Sequence, residues 1–195
     1  MNQKAVRRLI FVRTCPFEDA SEESPQTATA TEPLPENDVF VHAPLQAVSG
    51  YLVDTDVISA GAPTKRQASA ALGLWMDQNS DRLFLSTITV AEIADGIAKA
   101  RREGSRRKAT DLTGWLETLL HLYGARVLPF DVAAARVAGT LQDRARSIGQ
   151  SPGFADLAIA AIAANHGLTV LTANLRHFAP LGVPVHNPLE TLPKA

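Results

Sequence analysis

The chain has 195 residues, 46% of them hydrophobic and 20% charged, which suffices for a sizeable core in one medium domain. Nineteen basic and twenty acidic side chains give a formal charge of -1, which excludes a nucleic-acid binder of the histone kind, basic throughout. A single cysteine, Cys15, excludes an internal disulfide framework and any cysteine-rich zinc site.

These averages conceal an uneven chain. Residues 1–49 hold no glycine, five of the twelve prolines, four basic and seven acidic residues. The run from Ser21 to Asn37 is Ser/Thr/Glu/Pro-rich with Leu34 as its one large apolar residue. Such a segment buries too little apolar surface to offset its ordering entropy, so residues 1–49 are expected to be a disordered extension. A mis-assigned translation start, with the working protein beginning near Val48, is the favoured explanation; a tethered interaction segment is the alternative. The apolar run Leu9–Val12 is too short for a secretory signal, and no run is long enough to span a bilayer, so a soluble cytoplasmic protein is expected.

The domain is expected over residues 50–195, with fifteen basic and thirteen acidic groups. Tyr51–Val53 predicts a first strand. Ala68, Ala71, Leu72, Trp75 and Met76 then recur at helical spacing. Leu83–Leu85 predicts a second strand, and a helix from Val90 to about Arg102 ends at Gly104. Leu112, Trp115, Leu116, Leu119 and Tyr123 mark the next helix, which Gly124 terminates. Val127–Leu128 predicts a short third strand. Residues 131–148 read as a helix with Val137, Leu141 and Ile148 inward. An Ala-rich helix over 153–166 is apolar almost all round, hence buried. Leu168–Leu171 predicts a fourth strand and Val183–Val185 a fifth at an edge, where proline is tolerated. Strands separated by helices predict an α/β fold with a parallel sheet covered on both faces, and ligands bind outside the carboxyl ends of such strands.

Four polar residues fall at such places: Asp54 after the first strand, Glu92 and Asp156 in first turns of helices, and Asn174 after the fourth strand. Each has an ordinary structural explanation. Asp54 or Thr55 can cap a helix, Thr89 and Glu92 match a capping box, Asp156 suits the helix dipole, and Asn174 suits a turn. Their joint convergence on one rim points further. Asp156 on a nearly apolar helix is costly unless paired. Clustered carboxylates repel, and an all-oxygen set selects a hard cation, Mg2+ or Mn2+.

The segments LVDTDVIS, STITVAEIADGI, PGFADLAIAAIAANHG and LTVLTANLRHFAPLGVPVHNP resemble, in order and spacing, the PIN domains of VapC-type toxins, over about residues 50–190. The resemblance implies a three-layer α/β/α fold with a central parallel sheet of four to five strands. It implies Mg2+-dependent endoribonuclease activity as the toxin of a type II toxin–antitoxin system, RNA as substrate, a small antitoxin as partner and a homodimer. Asp54, Glu92 and Asp156 would be the metal ligands, with Mn2+ able to substitute for Mg2+. Asn174 stands where the family often has Asp, which implies one well-held ion, and Thr172 matches the family's hydroxyl position. Thr55 and Asp56 are expected to orient the first carboxylate and cap the following helix. Antitoxin contact would fall on the exposed helix faces around 68–76 and 90–100.

Lys99, Arg101, Arg102, Arg106, Arg107 and Lys108 put six positive charges into ten residues, a candidate phosphate-binding patch or simply a solvated corner. His166, His177 and His186 are expected to be structural. Two other readings remain. The strand followed by Asp-Thr-Asp also resembles the opening of haloacid-dehalogenase-type phosphatases, with Asp54 as nucleophile, although their late Lys and acidic pair are missing. The other is a non-catalytic binding module on a PIN scaffold.

Overall fold

A computed structural model describes residues 50–64 and 69–193. The expected arm over 1–49, with Cys15, lies outside the described residues, as does Ala68.

Among the described residues five strands alternate with seven helices: β1 (Tyr51–Val53), α1 (Thr55–Ala60), α2 (Ala70–Gln78), β2 (Leu83–Ser86), α3 (Thr87–Arg102), α4 (Arg106–Tyr123), β3 (Val127–Leu128), α5 (Val132–Ser147), α6 (Phe154–His166), β4 (Thr169–Leu171), α7 (Leu175–Phe178) and β5 (Val185–His186). The strands form one sheet in the order β3-β2-β1-β4-β5, all pairs parallel. Chain order reverses between β1 and β4, so their carboxyl ends border the crevice where open parallel sheets bind ligands.

Alternation along the strands sends side chains to two cores. Leu52 and Val170 join α5 and α6 on one face, with Phe178 and Leu181. Val53, Leu83, Leu85 and Leu171 join α1 to α4 on the other, around Trp75, Ile93, Ile97, Leu116 and Leu119. Three layers result, and the expected α/β/α fold with a parallel sheet is borne out. The Ala-rich helix is as apolar as its sequence predicts: every residue from Leu157 to Ala163 is buried. Gly50 enters β1 through a tight gap: a Cβ there would lie 2.9 Å from the Leu168 side chain and 3.1 Å from the Arg82 carbonyl oxygen. No helix among the described residues is long and apolar enough to cross a membrane.

Three expectations need correction. Helix α3 starts at Thr87 rather than Val90, because the buried Ser86 hydroxyl accepts the Thr89 N–H at 2.9 Å and caps the helix earlier. Thr89 and Glu92 therefore form no capping box, and Glu92 sits beyond the first turn. Ile148, expected inward, is the C-cap of α5 and 60% exposed. The last strand is Val185–His186 rather than 183–185. Pro184 has no N–H to donate, and its carbonyl accepts the Val170 N–H at 2.9 Å, so pairing starts beyond the ring.

Candidate active site

Asp54 follows β1 directly, its backbone N–H bonded to the Leu171 carbonyl of β4 at 2.9 Å. The residue is only 6% exposed. One carboxylate oxygen accepts the Thr55 N–H at 2.7 Å, and the other accepts the Thr172 hydroxyl at 2.8 Å. The Thr172 Oγ in turn accepts the Asn174 N–H at 3.0 Å. Asp54 is thus fixed from the loops after both central strands.

Asp56, one residue into α1, turns to the loop after β4. Its Oδ2 accepts the Ala173 N–H at 2.9 Å and the Asn174 side-chain amide at 3.1 Å, with the Thr172 hydroxyl at 3.4 Å. Its Oδ1 is buried without a partner. Thr55 donates its hydroxyl to Glu92 on α3. One hydrogen-bonded network thus joins five of the singled-out residues to Asp54: Thr55, Asp56, Glu92, Thr172 and Asn174. The capping role falls to Asp54 itself. Thr55 orients Glu92 and Asp56 the loop after β4, so neither orients Asp54 through its side chain.

The electrostatics follow from crowding. Burial, the charge of Asp56 and that of Glu92 push Asp54 up from 3.8 to about 6, against the pull of its hydrogen bonds to Thr172 and Thr55. Burial also raises Asp56, against the pull of its hydrogen bonds to the loop after β4. The charges acting on Asp54 are both negative, and a set of carboxylate and amide oxygens has the donor chemistry of a hard cation site.

Asp156 is held differently. It lies in the first turn of α6, and its carboxylate stands 3.4 Å from Nδ1 of His177 on α7. Among the described residues no hydrogen bond joins it to the Asp54 network, and no three Asp, Glu, His or Cys groups share one ion-sized site. His177, expected to be structural, is the histidine that stands beside a candidate carboxylate. Its signal is slight: it falls one helical turn after Asn174, on the short helix that closes this end of the sheet.

The six basic residues divide between two helix ends. Lys99, Arg101 and Arg102 occupy the last turn of α3, where the helix dipole favours them. Arg106, Arg107 and Lys108 occupy the first turn of α4, where it does not. Lys99 and Lys108 line an open cleft of about 350 Å³ that Thr55, Glu92 and Trp115 also line. Arg101 turns aside to the Thr113 hydroxyl at 3.1 Å. His186 is structural, with Nε2 2.6 Å from the Thr191 carbonyl.

Comparison with known proteins decides the family. The sequence model of the PIN domain matches residues 51–181. The chain belongs to the PIN-domain family. This PIN domain is 38% identical over 143 residues to the plasmid stability protein StbB of Pseudomonas syringae pv. tomato, covering 71% of this chain and 98% of that one. It is 39% identical over 141 residues to the VapC ribonuclease Y4jK of Sinorhizobium fredii, covering 71% and 97%. Among solved structures it is similar to FitAcB from Neisseria gonorrhoeae, at 35% identity and TM-score 0.63 over 71% of this chain and 98% of that one. A complex of FitAB with a DNA fragment is similar at 32% identity and TM-score 0.60, covering 71% and 94%. The expected membership of the VapC-type PIN domains is borne out, and the phosphatase alternative loses its basis.

Proposed function

We propose that this PIN domain, residues 50–195, is a metal-dependent endoribonuclease acting in the cytoplasm as the toxin of a toxin–antitoxin pair. The observation that carries the reading is the buried Asp54 carboxylate, fixed by two donors yet surrounded by negative charge. A dead site gains nothing from holding like charges together. The relatives named as VapC ribonuclease and the structures of FitA–FitB complexes point the same way.

Asp54, Glu92 and Asp156 would hold Mg2+ or Mn2+, with Asn174 beside them. Such an ion supplies a Lewis acid for a phosphoryl oxygen and a more acidic water. The chain's own residues do the positioning. Thr172 and the Thr55 N–H keep both Asp54 oxygens in place. The Thr55 hydroxyl holds Glu92 at the mouth of the cleft, and His177 steadies Asp156. Lys99 and Lys108 give the cleft positive charge for the phosphate backbone, and Arg106 and Arg107 extend it. Three cations set against a helix dipole serve something other than helix stability.

The small antitoxin would cover the cleft beside α2 and α3, and the domain would form a homodimer. Cleavage of single-stranded and structured RNA, in Mg2+ or EDTA, with Asp156→Asn as control, tests the reading. Metal-dependent cleavage lost in the variant supports it. Equal cleavage in EDTA or by the variant contradicts the mechanism, and no cleavage at all supports a binding module.

A further inference from the structure

Among the described residues few large apolar side chains are exposed, and one of them lies two residues before Asp156. Phe154, the first residue of α6, is 67% exposed, although the same helix buries every residue from Leu157 to Ala163. Its ring meets that of Phe130 edge-to-face, with centroids 5.8 Å apart and planes at 84°. Phe130 is no loose partner. Its ring packs against the core around α5 and α6, and its N–H is donated to the Thr87 hydroxyl at 3.2 Å. Thr87 opens α3, which carries Glu92, and Phe154 lies two residues before Asp156. The aromatic pair therefore ties together the starts of the two helices that bear these carboxylates.

We propose that Phe154, braced by Phe130, is a stacking platform for the nucleobase next to the bond being cut. The inference rests on the ribonuclease reading and adds to it how the substrate is gripped. A phenyl ring offers no hydrogen bond to a base edge, so it selects any base by its π-face. A base inside a duplex has its faces covered, so the platform accepts single strands, loops and splayed ends, not paired RNA. Lysines on the cleft side and a ring on the α6 side would supply the charge and the stacking that single-strand binders combine.

The rival occupant is a second copy of the chain. The other strongly exposed aliphatic residues of this layer, Val132 and Ile148, lie at opposite ends of α5. A helix of that length separates them by roughly 24 Å, so both cannot join Phe154 in one apolar patch; Val132, two residues after Phe130, is the one that can.

The test compares the full chain with its Phe154→Ala and Phe154→Trp variants. Binding is followed with a short oligoadenylate and with an abasic ribose-phosphate chain of equal length; cleavage is followed on single-stranded RNA. Phe154→Ala should weaken oligoadenylate binding roughly tenfold, within the range stacking provides per base. It should leave abasic binding as it was and act on KM rather than kcat. Phe154→Trp should restore binding. Equal losses on both probes, no loss on either, or dissociation of a dimer by Phe154→Ala would overturn the platform. The two readings fail separately. Native protein that discriminates the probes but never cleaves contradicts the ribonuclease, and cleavage indifferent to Phe154 contradicts only the platform.

Discussion

Asp54 and Asp156 are both carboxylates at the same end of one sheet, yet they are held in opposite ways. Asp54 is buried between the loops after β1 and β4, with a backbone and a side-chain donor on its two oxygens. Asp156 rides on the tip of a helix, partly exposed, with one imidazole at 3.4 Å. The first is a fixed point whose ionisation the surroundings oppose. The second is adjustable, held among the described residues by that one contact alone. A site built this way has its position set by Asp54 and its completion left to Asp156.

The largest expected effect breaks the fixed side. Asp54→Asn should lower RNA cleavage by roughly a hundred- to a thousandfold, the scale for losing a central electrostatic group. It should also raise the thermal stability of metal-free protein near neutral pH, because it removes an ionisation that burial opposes. Loss of both activity and stability would mean that the carboxylate is needed for folding.

Thr172→Val comes next. It removes the donor to Asp54 and the acceptor of the Asn174 N–H, and a buried group left unpaired costs about 1–3 kcal/mol. Chemical denaturation should show that loss, together with a fall in cleavage of tenfold or more. A Ser at the same position should recover most of it.

The pH profile of metal-free protein sharpens the same contrast. Asp54 is raised in the folded state, so its share of stability is complete below about pH 4 and is lost as pH rises through about 6. The shift corresponds to about 3 kcal/mol, and Asp56, also raised, adds in the same direction. Melting temperature in EDTA should therefore fall between pH 4 and 7, and Asp54→Asn should flatten the slope. Mg2+ should recover the loss, by about 2.7 kcal/mol at a hundred times its dissociation constant.

The smallest effect belongs to the adjustable side. His177→Ala removes a partly exposed contact worth no more than about 1 kcal/mol. Stability should scarcely change, and cleavage should fall only several-fold. A loss as large as that of Asp54→Asn would erase the distinction between the two carboxylates.

Much of this was legible in the sequence because burial writes itself into periodicity. The run Leu157–Ala163 announces a helix with no solvent face, and short apolar runs separated by helices announce parallel strands. Candidate residues were legible only jointly: each has an ordinary use, Asp54 as a helix cap among them, and their convergence on one rim of the sheet is what sets them apart. Cap positions and pairings across the fold were not. Ser86 and Thr89 are both plausible caps by composition, and only the path of the chain out of β2 selects Ser86. The links from Thr55 to Glu92 and from His177 to Asp156 join residues far apart in sequence, and no local pattern encodes them. Phe154 was hidden by its neighbours: inside so apolar a helix its sequence gives no sign that it faces solvent.

The most direct test of the account is calorimetric titration of Mg2+ into metal-free protein near pH 6, in two buffers of different ionisation enthalpy. Saturable binding with release of a proton is predicted, because the cation displaces the proton that Asp54 retains there, and Asp54→Asn should abolish it. Absence of binding, or binding that is unchanged in Asp54→Asn, would contradict the assignment of this crevice as the metal site.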